Sequence, residues 1–351
     1  MAKSDRNVGW PGFFRAFAVL CAIILLLAQN ALETHVYQAG SGAWQVLQVY
    51  EGVTSWAIPA LFMLWGMFAL EGGGKSRFWD SLLHLALPTF LLLVFWGAVY
   101  AVVSILLGGG GLNWNQVLHA LVSAAKGNTH YHLWVLYPLI GLYLVHPVIV
   151  RFTSGASRGE VIYFLVLCYV FASVLPMWAA FHPESVIVVL LERLRVHLVL
   201  GWIGCYVMGW YLRHYMIGRL SEILFYIAGI VGMIFTLFGE RILGGSKELW
   251  YLYTSPNVVA VAVAFCVLFR YVLGVSDERS RRSSMRELGG YAVGIYLLHP
   301  VWVLVLAHFG IGVWSFTPVA SIPFFALVVF LLSMPFAWLA HRIPGIGTYL
   351  T

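Results

Sequence analysis

The sequence predicts an all-α, polytopic integral membrane protein with about ten transmembrane helices and both termini in the cytoplasm. Three observations carry that prediction. Of 351 residues, 61% are hydrophobic and only 10% charged, against roughly 45–50% and about 25% in soluble globular chains. The apolar residues fall in continuous runs rather than in alternation, which suits helices and excludes a closed β-barrel. The twenty basic residues flank those runs and gather on one side. A water-soluble domain, a disordered chain and a coiled coil are excluded, and a single membrane-embedded domain over 1–351, with no separate soluble domain, is expected.

A bilayer core of about 30 Å needs about 20 apolar residues per helix. Ten stretches reach that length, near 12–32, 52–70, 81–108, 133–150, 161–180, 197–217, 220–238, 256–275, 288–308 and 321–340. The first is longer than a secretory apolar core and ends without a small-residue cleavage pattern before Glu33, so it is expected to be retained. The third is long enough to tilt or to project from the bilayer.

Alternating ten spans places fifteen Lys and Arg on the side of the N-terminus and five on the other. By the positive-inside rule both termini face the cytoplasm. The same placement explains the net charge of +6 without any nucleic-acid partner. Two outer-face stretches read as interfacial helices or loops: 109–131, with Asn113, Trp114, His119 and His130, and 185–196, with Glu192, Arg193 and Arg195. The run from Asp277 to Glu287 reads as a solvated cytoplasmic loop beside anionic head groups. Cys21, Cys168, Cys205 and Cys266 lie in apolar runs without metal-ligand spacing, so they read as small core residues. No metal is expected.

Ionisable groups inside a span are costly, by ~2.5–3.5 kcal/mol on insertion scales, and are therefore site candidates. Arg15 lies about one turn into the first span, where it either snorkels to the interface or faces an anionic ligand. His132 opens the fourth span in the string His130-Tyr131-His132-Leu133-Trp134-Val135-Leu136-Tyr137-Pro138, which is either an interfacial aromatic belt or the setting of a working group. His299 falls about 15–18 Å up the ninth span at 1.5 Å per residue. Pro300, next to it, removes a helix hydrogen bond and frees a carbonyl. His299 is then either a structural partner of that carbonyl or a working group. His146-Pro147 repeats the dipeptide near the inner end of the fourth span. On this reading Arg15, His299 and His132 mark a polar path at three depths. There is no Walker loop, HExxH, GxSxG or CxxC pattern, and no inverted-repeat pairing.

Four strings resemble acyltransferase family 3, the integral membrane acyltransferases that modify surface polysaccharides and other glycans. They are Arg15 with the apolar run after it, Ser76-Arg77-Phe78 leading to Pro88, His132-Leu133-Trp134-Val135-Leu136, and Gly294-Ile295-Tyr296-Leu297-Leu298-His299-Pro300. Gly201 to Tyr211 is similar to the family's Gly/aromatic sixth span. The resemblance covers nearly the whole chain. It implies O-acylation, usually O-acetylation, in the bacterial cytoplasmic (inner) membrane. An acyl group would pass from cytoplasmic acyl-CoA, usually acetyl-CoA, to a hydroxyl of a cell-surface glycan or exopolysaccharide. Further implied partners are membrane lipids and other polysaccharide-biosynthesis proteins.

Under that resemblance Arg15, Arg77 and His84 would face the donor, and Trp134, Tyr137 and Tyr296 the acceptor. A general base needs a pKa near working pH, which a histidine in a half-wet cavity supplies. The chain departs from the family where a histidine is expected eleven residues after the first-span arginine, since that position is Leu26. His132 or His299 would then supply the base. The alternative is a non-catalytic member that binds or passes a glycan or lipid-linked intermediate.

Overall fold

Backbone amides find no water inside hydrocarbon, so each apolar run closes its hydrogen bonds along its own axis. The computed structural model describes residues 9–72, 78–107, 113–125, 130–194, 200–273 and 283–343, which are helical and contain no strand. In chain order the helices are α1 (Trp10–Glu33), α2 (Gly42–Ala69), α3 (Phe78–Leu107), α4 (Trp114–Ala125), α5 (Leu133–Gly155) and α6 (Arg158–Phe181). They continue with α7 (Val186–Leu194), α8 (Ile203–His214), α9 (Arg219–Leu243), α10 (Lys247–Leu273), α11 (Ser283–His308) and α12 (Pro318–His341). Among the described residues all but α4, α7 and α8 are long and apolar enough to cross a membrane, which makes nine. The chain is an integral membrane protein.

The expected sixth span lies partly outside the described residues. Residues 195–199 lie outside the described residues, and the remainder is the 12-residue α8, preceded by a turn at Gly201–Trp202. At 1.5 Å per residue α8 rises only about 18 Å. The two expected interfacial stretches hold the amphipathic helices α4 and α7. The charge run from Asp277 lies outside the described residues as far as Arg282. Three spans carry one wider π-turn each, at Leu82–Ala86, Val170–Val174 and Phe269–Leu273.

The helices gather into two compact units, each assembled from three chain segments. The first comprises Met1–Ala18, Val49–Ser76 and Val148–Gly289. Its centre is the packing of α8 on the second half of α2. A Cβ on Gly66 would sit 1.8 Å from the Tyr206 carbonyl oxygen, and one on Gly209 the same distance from that of Met63. This reciprocal pair of glycines lets two backbones touch, the usual way membrane helices associate when no hydrophobic gain separates protein from lipid. Around it Phe14, Phe17, Trp56, Phe265 and Phe269 stack as an aromatic layer, closest between Trp56 and Phe265 at 4.1 Å between centroids. The second unit comprises Val19–Gln48, Arg77–Pro147 and Gly290–Thr351. Its buried side chains include Leu25, Leu26, Tyr100, Leu297 and Val329.

Candidate active site

The second unit holds a buried histidine pair. Pro300 has no N–H for the Tyr296 carbonyl four residues earlier, and the His299 side chain takes that place: its Nδ1 lies 2.6 Å from the Tyr296 oxygen. A carbonyl only accepts, so Nδ1 carries the proton. In the neutral ring Nε2 is then left with its lone pair. His132 lies against it, with 5.4 Å between ring centroids in an edge-to-face arrangement. Both imidazoles are fully buried.

Neighbouring groups fix the pair. The Tyr296 hydroxyl donates to the His132 carbonyl at 2.8 Å. The Tyr100 hydroxyl donates to the Leu297 carbonyl, and its ring touches both His130 and His132, at 4.6 and 4.9 Å. His130 and His132 share a hydrogen bond between their Nδ1 atoms at 3.2 Å. Burial pushes the His130 imidazole down to about 4, so it enters this bond neutral near pH 7. When His130 donates, His132 carries its own proton on Nε2.

The network leaves four buried polar atoms without a hydrogen-bond partner among the described residues: His132 Nε2, His299 Nε2, Tyr131 Oη and Trp96 Nε1. Their rings are linked through Tyr100 and His132. Buried polar groups are normally paired, so this cluster has the chemistry of a site for a hydroxyl-bearing ligand. One lone pair stands opposite one or more N–H or O–H donors.

The first unit holds a cationic cluster. Gly12 and Gly289 approach until a Cβ on Gly289 would lie 2.3 Å from the Gly12 Cα. That contact brings Arg15 to the start of α11, where Nη1 donates to the Gly289 carbonyl at 3.2 Å. The guanidinium lies 4.1 Å from the centre of the Phe68 ring, and Arg213 lies 4.9 Å from the same ring. Glu71 pairs with Arg213 at 2.6 Å, but Arg213 Nη1 is buried with no hydrogen-bond partner among the described residues. Arg270 faces Arg213 closely enough to oppose its charge. Arg15 and Arg213 thus lie on one aromatic ring, with Arg270 near enough to act on Arg213, and this concentration of positive charge favours an anion.

Of the residues singled out from sequence, the structure brings together His132, His299 and Tyr296. His132 and His299 touch, which corrects the expectation that they stand at separate depths. The Tyr296 bond to the His132 backbone holds the start of α5 against the middle of α11. Trp134 is half-buried in the first turn of α5 and Tyr137 is exposed. His84 is exposed in the π-turn of α3, and Arg77 lies outside the described residues. Arg15 belongs to the cationic cluster of the first unit. His146 is buried beside Pro147 within α5. Leu26 is fully buried.

Sequence reasoning missed Tyr100, His130, Phe68, Arg213 and Arg270. His130 was visible two residues from His132 but looked like part of an interfacial aromatic belt. Arg213 and Arg270 were counted only as orientation charges at span ends.

The family model described as an acyltransferase domain matches residues 8–340. No curated protein and no solved structure matches the chain. The family match runs from before α1 almost to the end of α12, through both the arginine cluster and the histidine pair. The chain belongs to this acyltransferase family, as a membrane protein with the family domain as nearly its whole length.

Proposed function

We propose that this protein is a membrane O-acyltransferase of the bacterial inner membrane, moving an acyl group, acetyl in the simplest case, from cytoplasmic acyl-CoA to a hydroxyl of a cell-surface glycan. The observation that carries the reading is the His299 imidazole, pinned through Nδ1 to Tyr296 and facing His132 with Nε2 uncommitted. His299 Nε2 takes the proton of the acceptor hydroxyl as its oxygen attacks the thioester carbonyl. With His130 as the donor in the shared Nδ1 bond, His132 Nε2–H faces the oxyanion that forms, the kind of preorganised donor that is worth most in a water-poor site. The carbon–sulfur bond then breaks, and His299 returns the proton to the departing sulfur, which leaves as the thiol of CoA. Tyr296 and Tyr100 hold the two rings in position.

On the donor side Arg15 and Arg213 suit the phosphates of CoA. Their planar guanidiniums are held on Phe68 and can donate in pairs to phosphate oxygens. The charge asymmetry supports a cytoplasmic position for this cluster and for both termini. Leu26, apolar and buried, takes no part. The base that the family resemblance expects on α1 is supplied here from α11.

The test is release of free thiol from acetyl-CoA by the purified protein in nanodiscs, with a glycan hydroxyl acceptor, for wild type and for His299→Asn. Acceptor-dependent release that the substitution abolishes supports the reading. Undiminished release in His299→Asn overturns the base assignment. No release by wild type, with loss of a surface polymer on gene deletion, would favour a binding or passage role for a glycan intermediate.

A further inference from the structure

The first unit contains a cavity lined by none of the residues of the histidine or arginine clusters. Its volume is about 480 Å³, within the ~300–1,000 Å³ of small-molecule sites. One wall is a stripe on α6 comprising Arg158, Ile162, Leu165, Tyr169, Ala172 and Ser173. The stripe follows helical spacing, and from Arg158 to Ser173 the helix rises about 22 Å. The cavity is therefore long and narrow rather than round. Its other walls come from α8, α9 and α10 and are almost wholly apolar, including Met208, Phe225, Ala228 and Val263.

The two ends differ. At the end where α6 begins, the Arg158 guanidinium donates through Nε to the Tyr211 hydroxyl at 3.2 Å and through Nη2 to the Met216 carbonyl at 3.1 Å. No carboxylate pairs with it among the described residues. The nearest in sequence, Glu160, turns back to cap the helix on Ser157. The opposite end is lined by Ser173 and Thr254 and, among the described residues, by no charged group. Along the side, Ile162, Val166 and Tyr169 line the cavity and are also exposed on the apolar exterior. The opening thus faces hydrocarbon rather than water.

We propose that this cavity binds an anionic phospholipid of the surrounding bilayer, with one acyl chain along the α6 stripe and the phosphate on Arg158. An elongated apolar slot that opens sideways into hydrocarbon takes an acyl chain. A carboxylate-free guanidinium at the end where the span begins takes the phosphate. Arg213, Arg219 and Arg270 belong to the same membrane side by the alternation of spans, and that charge attracts acidic lipid. The site is separate from the histidine pair and does not depend on the transfer reaction.

Native mass spectrometry of the full-length protein in micelles, titrated with phosphatidylglycerol or phosphatidylcholine, tests the proposal. Wild type is expected to retain one phosphatidylglycerol at least tenfold more tightly than phosphatidylcholine. Arg158→Ala is expected to erase that preference while leaving residual binding. Filling the slot with Ala172→Phe or Ala228→Phe is expected to abolish retention of both lipids. A preference that survives Arg158→Ala overturns the headgroup assignment. Retention that survives both filling variants, with thermal transitions showing them folded, overturns the chain assignment. If the filling variants do not fold, Arg158→Ala alone decides. Competition with palmitoyl-CoA separates the sources: displacement of phosphatidylglycerol at substoichiometric palmitoyl-CoA would overturn a bilayer lipid as the occupant.

Discussion

His299 donates from Nδ1 to the Tyr296 carbonyl at 2.6 Å, taking the place of the backbone N–H that Pro300 lacks. The bond does two things at once. It satisfies a carbonyl that the proline would otherwise orphan inside the membrane, and it fixes the tautomer that leaves Nε2 as an acceptor. The structural and the chemical readings of a mid-span His-Pro dipeptide are therefore one arrangement.

That dual role separates two substitutions. An asparagine at 299 can still donate to the Tyr296 carbonyl but cannot take a proton. His299→Asn should retain most of the thermal stability and lose transfer by about 10²–10⁴-fold, the usual worth of a positioned base. His299→Ala should lose transfer equally and also destabilise by about 1–3 kcal/mol, the cost of an unsatisfied buried acceptor. Thermal denaturation beside a thiol-release assay resolves the two.

The burial of His130 gives stability a pH dependence. Burial lowers the His130 imidazole from 6.5 to about 4, so between these values the unfolded chain binds a proton that the folded chain refuses. Stability from this group is complete above pH 6.5 and is lost as pH falls toward 4. The thermal transition of wild type should drop over that window, and His130→Asn should flatten the drop. An equal slope in both proteins would remove His130 as its source.

On the donor side, Arg213→Gln and Arg15→Lys should raise KM for acyl-CoA about ten- to a hundredfold, the range of one charge-assisted hydrogen bond of ~1.5–3 kcal/mol, and change kcat little. Lysine keeps the charge of Arg15 but not the planar fork held on Phe68. Steady-state kinetics with varied acyl-CoA gives the split directly. An effect on kcat alone would place these arginines elsewhere in the mechanism.

The glycine pair makes a purely structural prediction. A methyl on Gly209 would overlap the Met63 backbone at 1.8 Å, whereas a Cβ on Gly141 meets nothing within 4 Å. Gly209→Ala should lower the thermal transition sharply, by at least the ~1–3 kcal/mol typical of overpacking. Gly141→Ala should leave it unchanged or raise it slightly. Because α2 carries Phe68 and α8 carries Arg213, Gly209→Ala should also weaken acyl-CoA binding.

Much of this protein was legible before folding. Span positions follow from the cost of putting unpaired amides or charges into hydrocarbon, and that cost is paid residue by residue, so runs of sequence record it. Nine of the ten expected spans are helices of sufficient length and apolarity among the described residues. The tenth, 197–217, falls partly on residues outside those described, and its described part is α8. His132, His299 and Arg15 stood out for the same reason as the spans, being ionisable groups in an apolar setting.

Partnership was not legible. His132 and His299 are 167 positions apart and meet only because Tyr296 reaches the His132 backbone. Tyr100 and His130 join them by ring contacts that carry no local sequence signal. Arg213 passed as an orientation charge until Phe68 was seen to lie beside both it and Arg15. Composition and hydropathy are sums over neighbours along the chain, and they determined that this protein lives in a membrane and where it crosses. Which buried polar groups share a hydrogen bond depends on distances between helices far apart in sequence, and only the tertiary structure decided that.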